Sequence, residues 1–308
     1  MNYHRDLVRA NLAAIPCRSA EWTHPTLDVT GRADIALYPD GKSAFYQLTH
    51  PVSGPRLDVV IGATGAGTTN ALRVITAESL AAGSAVVLFS RHADLTVNLS
   101  RGAGSALTHV LSTGQEIHAG AHALQAAIAE RQAIRAEGAT PAPLLHVVFT
   151  SETLHTQPGC EPLHKAIAYI AEQGPRLQIK MTLELKRLSG LGFTDGSGAA
   201  LDALLSNDVL AYRTADFFTN EVLQNRFGPS ARPGDIPPYI DYHGIHSSAG
   251  VGFVLGHDQT PRLSRTLLMS QETFARSAPL TATPLDARTT AAWQRGYEHG
   301  LNDEPYYR

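Results

Sequence analysis

Residues 57–79 read LDVVIGATGAGTTNALRVITAES: an apolar run, a glycine-rich loop and then a helical pattern. "LDVVIG" has the length and, Asp58 apart, the apolarity of a strand buried on both faces. In "TTNALRVITAESLAAG", Leu72, Ile75 and Leu80 recur at helical spacing before Gly83 supplies a stop. A glycine loop between strand and helix suits phosphate, because glycines let successive backbone N–H groups converge on anionic oxygens at a helix N-terminus. The pattern G-x-x-x-x-G-K-[ST] is met by Gly62 and Gly67, with Gly65 between them, and by Thr69 at the position whose hydroxyl holds Mg²⁺. It is broken at Thr68, which stands where a lysine belongs. The backbone cradle is kept and the point charge is gone. A charge-assisted contact contributes roughly 1.5–3 kcal/mol, so its loss weakens nucleotide binding by about 10- to 150-fold. Gly62, Gly65, Gly67, Thr68 and Thr69 are the candidate nucleotide-binding residues, with Thr69 a metal ligand only if nucleotide binds. A bare glycine turn holding no ligand is the plain alternative.

Strands and helices alternate outward from this stretch. Upstream, "ADIALYPDGKSAFYQLTH" sets two β-type runs around an Asp-Gly turn, a hairpin signal. Downstream come "SAVVLFS" as a short strand, "AHALQAAIAERQAIRAEG" as a helix ending at Gly138 and "LLHVVFT" as a third buried strand. "EPLHKAIAYIAEQG" then reads as a helix and "LQIKMTLEL" as a fourth strand. "FTDGSGAALDALLSNDVLAYRTADFFTNEVL" adds loop, helix, strand and helix. Beyond a Gly/Pro-rich loop, "AGVGFVLGHDQTPRLSRTLLM" reads as a second hairpin. This alternation predicts an α/β fold: a mostly parallel sheet with helices on both faces, flanked by an N-terminal and a C-terminal hairpin. The expected segments are 1–55 (helix and β-hairpin), 56–275 (core) and 276–308 (a polar tail, docking or frayed).

Composition narrows the classes. With 308 residues, 43% hydrophobic and 17% charged, the chain can bury a substantial core. A net charge of −3 gives no global attraction to nucleic acid, so contact with double-stranded DNA is expected only through local loops or an assembly. Cys17 and Cys160 are too few for a disulfide framework. No apolar run approaches ~18 residues, and the apolar stretch of the N-terminal segment is broken by Arg9 and Asn11. A cytoplasmic protein without a transmembrane segment is expected.

A dinucleotide reading competes for the same loop. "IGATGAG" followed by "VVLFSRH" fits a βαβ unit with glycines under a pyrophosphate and Arg91 after the second strand, facing the 2′-phosphate of NADP. The third glycine of that fingerprint falls on Thr68, and no Tyr-x-x-x-Lys pair is present for reductase chemistry.

The order of elements separates the two. The hairpin "ALYPDGKSAFYQLTH", the loop "LDVVIGATGAGTTNALRVI", the helix with "AERQAIRAEG", "LLHVVFTSETL", "AIAYIAEQG" and "LSNDVLAYRTAD" run in the order found in one family of motors. Over roughly residues 30 to 270 the chain resembles the FtsK/SpoIIIE-like DNA translocases, in particular the TraB-type plasmid-transfer motors of actinobacteria. The resemblance implies a RecA-like P-loop NTPase fold that assembles into a ring around double-stranded DNA and moves it with ATP. It also implies a pattern of loss. The family's lysine falls on Thr68, and its acidic pair after the third strand falls on Thr150 and Ser151, leaving Glu152 as the candidate catalytic base. Its arginine falls on Pro175, and Lys186 lies near its sensing glutamine. Phosphoryl transfer depends on positioned cations around the developing charge, so a pseudo-ATPase with ATP and Mg²⁺ weakly bound or absent is expected. Lys180 or Lys186 could instead reach the phosphates from the neighbouring strand. The expected partners are a homo-oligomer or an intact FtsK/TraB-like motor. An active, divergent ATP-dependent translocase and an NADP-binding oxidoreductase are the alternatives.

Histidine spacings elsewhere, His155, Cys160 and His164 and then His243 and His246, fall within chance for a chain with 14 histidines. Ser90, Ser112 and Ser151 lack a nucleophile-elbow context.

Overall fold

The computed structural model describes residues 12, 15, 19–50, 52–55, 57–91, 107–150, 161–189, 199–241, 245–256, 260–277 and 282–303. The predicted N-terminal hairpin forms from β1 (Arg32–Leu37) and β2 (Ser43–Gln47), turning through Gly41 at φ 78°. A two-residue ladder, β3 (Thr49–His50) with β4 (Gly54–Pro55), leads into β5 (Leu57–Ile61), and the glycine loop then starts α1 (Thr68–Ala81). There follow β6 (Ala85–Phe89), β7 (His109–Leu111), α2 (Gly114–Ala136), β8 (Leu145–Phe149), α3 (Glu161–Gln173), β9 (Ile179–Leu185), α4 (Ala199–Leu204), β10 (Val209–Tyr212) and α5 (Phe217–Phe227). A small ladder, β11 (Tyr239–Asp241) with β12 (Ile245–Ser247), precedes the hairpin of β13 (Val251–Leu255) and β14 (Leu263–Thr266). The last helices are α6 (Gln271–Ser277) and α7 (Ala287–Asn302).

Ten strands form one sheet in the order β2-β1-β14-β13-β10-β5-β9-β8-β6-β7. The half from β10 to β7 is parallel, as predicted, and the hairpins extend it with an antiparallel half through β10–β13 and β1–β14. On one face Val59, Phe89, Val147 and Leu183 pack with Leu124, Ile167 and Trp293 of α2, α3 and α7. On the other, Val60, Leu88, Val148 and Leu210 pack with Leu72 and Ile75 of α1 and Phe274 of α6. The loop after β5 therefore opens at the C-terminal edge of a central strand, where open α/β sheets bind their ligands. Among the described residues no helix is long and apolar enough to cross a membrane.

Two helices differ from expectation. α2 begins seven residues before Ala121, because Thr113 accepts from the Glu116 amide at 3.2 Å while Glu116 accepts from the Thr113 amide, a capping box. The polar C-terminal segment forms α7, capped by Asp286 and seated against α2.

α1 is buried nearly all round, since residues 20–27 cover its outer side. Glu78, fully buried, is the clamp: it accepts from Trp22 Nε1 at 2.9 Å, from the Thr26 amide and hydroxyl at about 3.0 Å and from the Leu27 amide at 3.1 Å. Glu78→Ala orphans these donors at a cost of ~1–3 kcal/mol each where no water replaces the carboxylate. Urea unfolding of that variant is expected to show a loss of about 3 kcal/mol or more; a loss under ~1 kcal/mol would mean the clamp is not made in solution.

Candidate nucleotide-binding site

The loop is built by three glycines with different tasks. A Cβ at Gly62 would lie 2.9 Å from both Thr68 Cγ2 and Tyr212 Cβ, so this position needs the space. Gly65 faces open space but holds φ at +77°, a conformation glycine adopts at no steric cost. Gly67 caps α1 at φ 107°, and a Cβ there would lie 2.4 Å from the Gly250 amide nitrogen. The turn before β13 thus backs the loop, and the Gly250 amide donates to the Ala66 carbonyl at 2.8 Å. The Gly62 and Ala63 amides are bound to the carbonyls of Leu185 and Arg213, at 3.0 and 2.8 Å, which ties the loop to both neighbouring strands. Asn70 anchors the first turn of α1 by donating to the Leu267 carbonyl and accepting from the Met269 amide.

At the lysine position, Thr68 is only 7% exposed and its Oγ1 donates to Glu184 Oε1 at 2.6 Å. Glu184 comes from β9 and is 5% exposed, and its Oε2 accepts no hydrogen bond among the described residues. A carboxylate thus stands under the loop where an ammonium would face phosphate. An ionised carboxylate here would repel an anion brought to the loop, adding to the charge lost at Thr68. Sequence reasoning missed it, because its partner lies 116 residues away.

Of the other predicted positions, Thr150 and Lys186 follow the ends of β8 and β9, at the same C-terminal edge of the sheet as the loop. Thr150 follows β8 and is fully buried; its amide, at 3.0 Å, and its Oγ1, at 3.5 Å, both point to the Phe89 carbonyl of the adjoining strand. Ser151 and Glu152 lie outside the described residues. Lys186 is exposed just past the end of β9, and Pro175 sits in a short 3₁₀ turn before that strand.

Lys180 does not reach the loop: it lies at the opposite end of β9, 1% exposed, ion-paired with Asp58 and donating to the Leu48 carbonyl at 3.1 Å. Burial pushes the Asp58 carboxyl up to about 7, with Lys180 opposing that rise. Beside them His146 Nε2 meets Thr182 Oγ1 at 2.8 Å, and burial, with Lys180 adding to it, holds this imidazole well below its usual range. A cleft of about 780 Å³, lined by Arg32, Tyr38, His50, Asp208 and Arg262 among others, opens on this N-terminal side of the parallel strands, away from the glycine loop. A cation that does come to the loop is Arg213, after β10, whose Nη2 lies 3.5 Å from the Thr64 carbonyl.

The dinucleotide reading fails on topology. In that fold the first and second strands are neighbours, whereas β9 and β8 stand between β5 and β6 here. Three inter-strand spacings of ~4.8 Å put the end of β6 roughly 14 Å from the loop, and the Arg91 guanidinium lies beside Gly114 at the start of α2. Of the histidine spacings, His155, Cys160 and His243 lie outside the described residues, while His164 and His246 fall in separate elements, α3 and β12.

A glycine loop between the central strand and a helix, in a sheet of order β10-β5-β9-β8-β6, gives an α/β fold of the kind seen in solved P-loop ATPases. Solved structures agree. The cytoplasmic domain of the type VII secretion ATPase EccC from Thermomonospora curvata matches with a TM-score of 0.63 at 18% identity, covering 90% of this chain and 35% of that one. EssC (ATPases 2 and 3) from Geobacillus thermodenitrificans matches at 0.58 and 14% identity, over 94% of this chain and 52% of that one. The pCW3 conjugation coupling protein TcpA, with ATPγS, matches at 0.62 and 11% identity, over 85% and 72%. The chain thus spans about a third of the EccC domain and about half of the EssC structure. No protein-family model and no curated protein matches the sequence.

Proposed function

We propose that this chain is a P-loop protein of the FtsK/TraB-like type that has given up ATP hydrolysis and serves as an accessory or structural subunit of a motor in DNA translocation or plasmid transfer. One observation carries the reading: the hydrogen bond from Thr68 to Glu184, which occupies the lysine position with a neutral donor and a carboxylate. Thr150, turned to the backbone of β6, supports it, since a threonine at that position brings no carboxylate to a metal. The fold shared with the secretion ATPase and the conjugation coupling protein above supports the resemblance to the FtsK-like motors, a family that forms rings.

In such rings nucleotide lies between subunits, so a subunit that cannot use ATP keeps docking surfaces but lacks that bridging ligand. Light scattering of the isolated protein is expected to show a monomer or weak oligomer, and a joint complex after mixing with a cognate intact motor. A stable hexamer alone, retaining duplex DNA at physiological salt despite the screening of phosphate contacts, would overturn the reading. Arg213 beside the loop favours the second reading, a divergent but active motor in which a guanidinium replaces the lysine; its mark is DNA-stimulated ATP hydrolysis.

A further inference from the structure

Far from the glycine loop, three histidines and an aspartate meet where α7 crosses α2. His118 and His122 lie four residues apart on α2, the spacing that puts two side chains on one helix face. His299, in the last turn of α7, and Asp303, its C-cap, lie four apart on the facing helix. Asp303 Oδ2 is 3.6 Å from His118 Nε2 and 3.3 Å from His122 Nε2. The His118 and His122 rings stand edge to face at 4.9 Å, and the His122 and His299 rings do so at 5.1 Å.

The backbone is shaped to bring these groups together. A Cβ on Gly296 would lie 2.7 Å from the His122 carbonyl oxygen, and one on Gly300 would lie 2.6 Å from Ala119 Cα and 3.1 Å from His122 Cδ2. Only glycine at both positions lets α7 descend onto α2 far enough for Asp303 to reach the imidazoles. His118 is 7% exposed, whereas Asp303 is 52% exposed, so the cluster is closed on its inner side and open to water on the outer.

From this geometry we infer that His118, His122 and Asp303 form a binding site for a divalent transition-metal ion of the zinc class, with water completing the coordination. Donors about 2.0–2.1 Å from a tetrahedral ion stand about 3.3–3.4 Å from one another, and the two imidazole-to-carboxylate separations, 3.3 and 3.6 Å, match that spacing. One donor atom from each of the three residues lies within 4.8 Å of the others. Two imidazoles with one carboxylate suit Zn²⁺, Co²⁺ or Ni²⁺, whereas Mg²⁺ and Ca²⁺ prefer all-oxygen shells. An ion here would staple the C-terminal helix to α2 and so to the sheet. The alternative is a metal-free histidine–aspartate ion pair holding the same two helices.

Calorimetric titration of the chelator-treated full chain with Zn²⁺ separates the two. One ion per chain is expected, with a rise in melting temperature and, for Co²⁺, the intense visible bands of a tetrahedral or five-coordinate site. His122→Ala is expected to weaken binding by at least ~10- to 100-fold, the loss seen when even outer-sphere partners of a metal are removed. Asp303→Asn, at a half-exposed position outside the packed core, tests the site even if His122→Ala does not fold, and should abolish the Zn²⁺-induced thermal shift. His24→Ala, an exposed histidine elsewhere, should change nothing. Absence of saturable Zn²⁺ binding, or binding that both His122→Ala and Asp303→Asn leave intact, would overturn the assignment.

Discussion

Mg·ATP is expected to leave the melting temperature of the protein unchanged, and Thr68→Lys alone is expected to leave that result as it is. Restoring the lysine of a phosphate-binding loop would normally regain a charge-assisted contact. Here the new ammonium would extend beside Glu184, which Thr68 already contacts at 2.6 Å, and pair with that buried carboxylate before reaching any phosphate. Glu184→Gln removes the charge while keeping the side chain's size and polarity. The double variant Thr68→Lys/Glu184→Gln is therefore the one expected to gain nucleotide affinity, by about 10- to 150-fold over Thr68→Lys. Equilibrium titration with a fluorescent ATP analogue measures it. Tight binding by the natural chain, or no difference between the single and double variants, would show that Glu184 is not what closes the loop to phosphate.

Lys180→Met is expected to lower stability by about 3–5 kcal/mol at neutral pH and above, because it strands Asp58 in a fully buried setting. Burial already holds that carboxyl near 7 against the opposing pull of Lys180, so losing the lysine drives it higher still. The unfolded carboxyl titrates near 3.9. Between those values the folded state keeps a proton that the unfolded state releases, so stability falls as pH rises. The Asp58 contribution in the natural chain is thus fully present below about pH 4 and lost as pH climbs through about 7. In Lys180→Met the decline should continue to higher pH, so that the total loss is larger. Urea unfolding at about pH 5 and about pH 8 reads the difference, and the double variant Asp58→Asn/Lys180→Met should recover most of the loss. A Lys180→Met penalty independent of pH would mean that Asp58 does not carry it.

The parts of the fold that were legible are those whose cause is local. Short, mostly apolar runs marked β5, β6 and β8 as buried on both faces, and Gly62, Gly67 and Gly83 marked the ends of the loop and of α1. β9 shows where local pattern misleads. Its alternation of Ile179, Met181, Leu183 and Leu185 with Lys180, Thr182 and Glu184 resembles a strand wetted on one face, yet all seven residues are buried at the centre of the sheet. Its polar row is satisfied from afar: Lys180 by Asp58, Thr182 by His146 and Glu184 by Thr68. That is why Lys180 could be read as a phosphate ligand from sequence while lying at the far edge of the sheet. Glu78 was invisible for the same reason, since its donors come from residues 22–27. α7 escaped because its inward stripe is Ala292, Trp293, Gly296 and Gly300, and small residues carry little apolar periodicity even when they decide how closely two helices approach. The Rossmann alternative could be settled only by strand order, which no local pattern encodes.

The loop from Gly62 to Thr69 is expected not to support phosphoryl transfer, and steady-state turnover of Mg·ATP by the purified full chain, with and without duplex DNA, tests this directly. With Thr68 held by Glu184 and Thr150 turned to the backbone of β6, the rate should match the protein-free blank in both conditions. Hydrolysis that rises with DNA and disappears in Thr69→Ala would contradict the claim and make the chain an active motor.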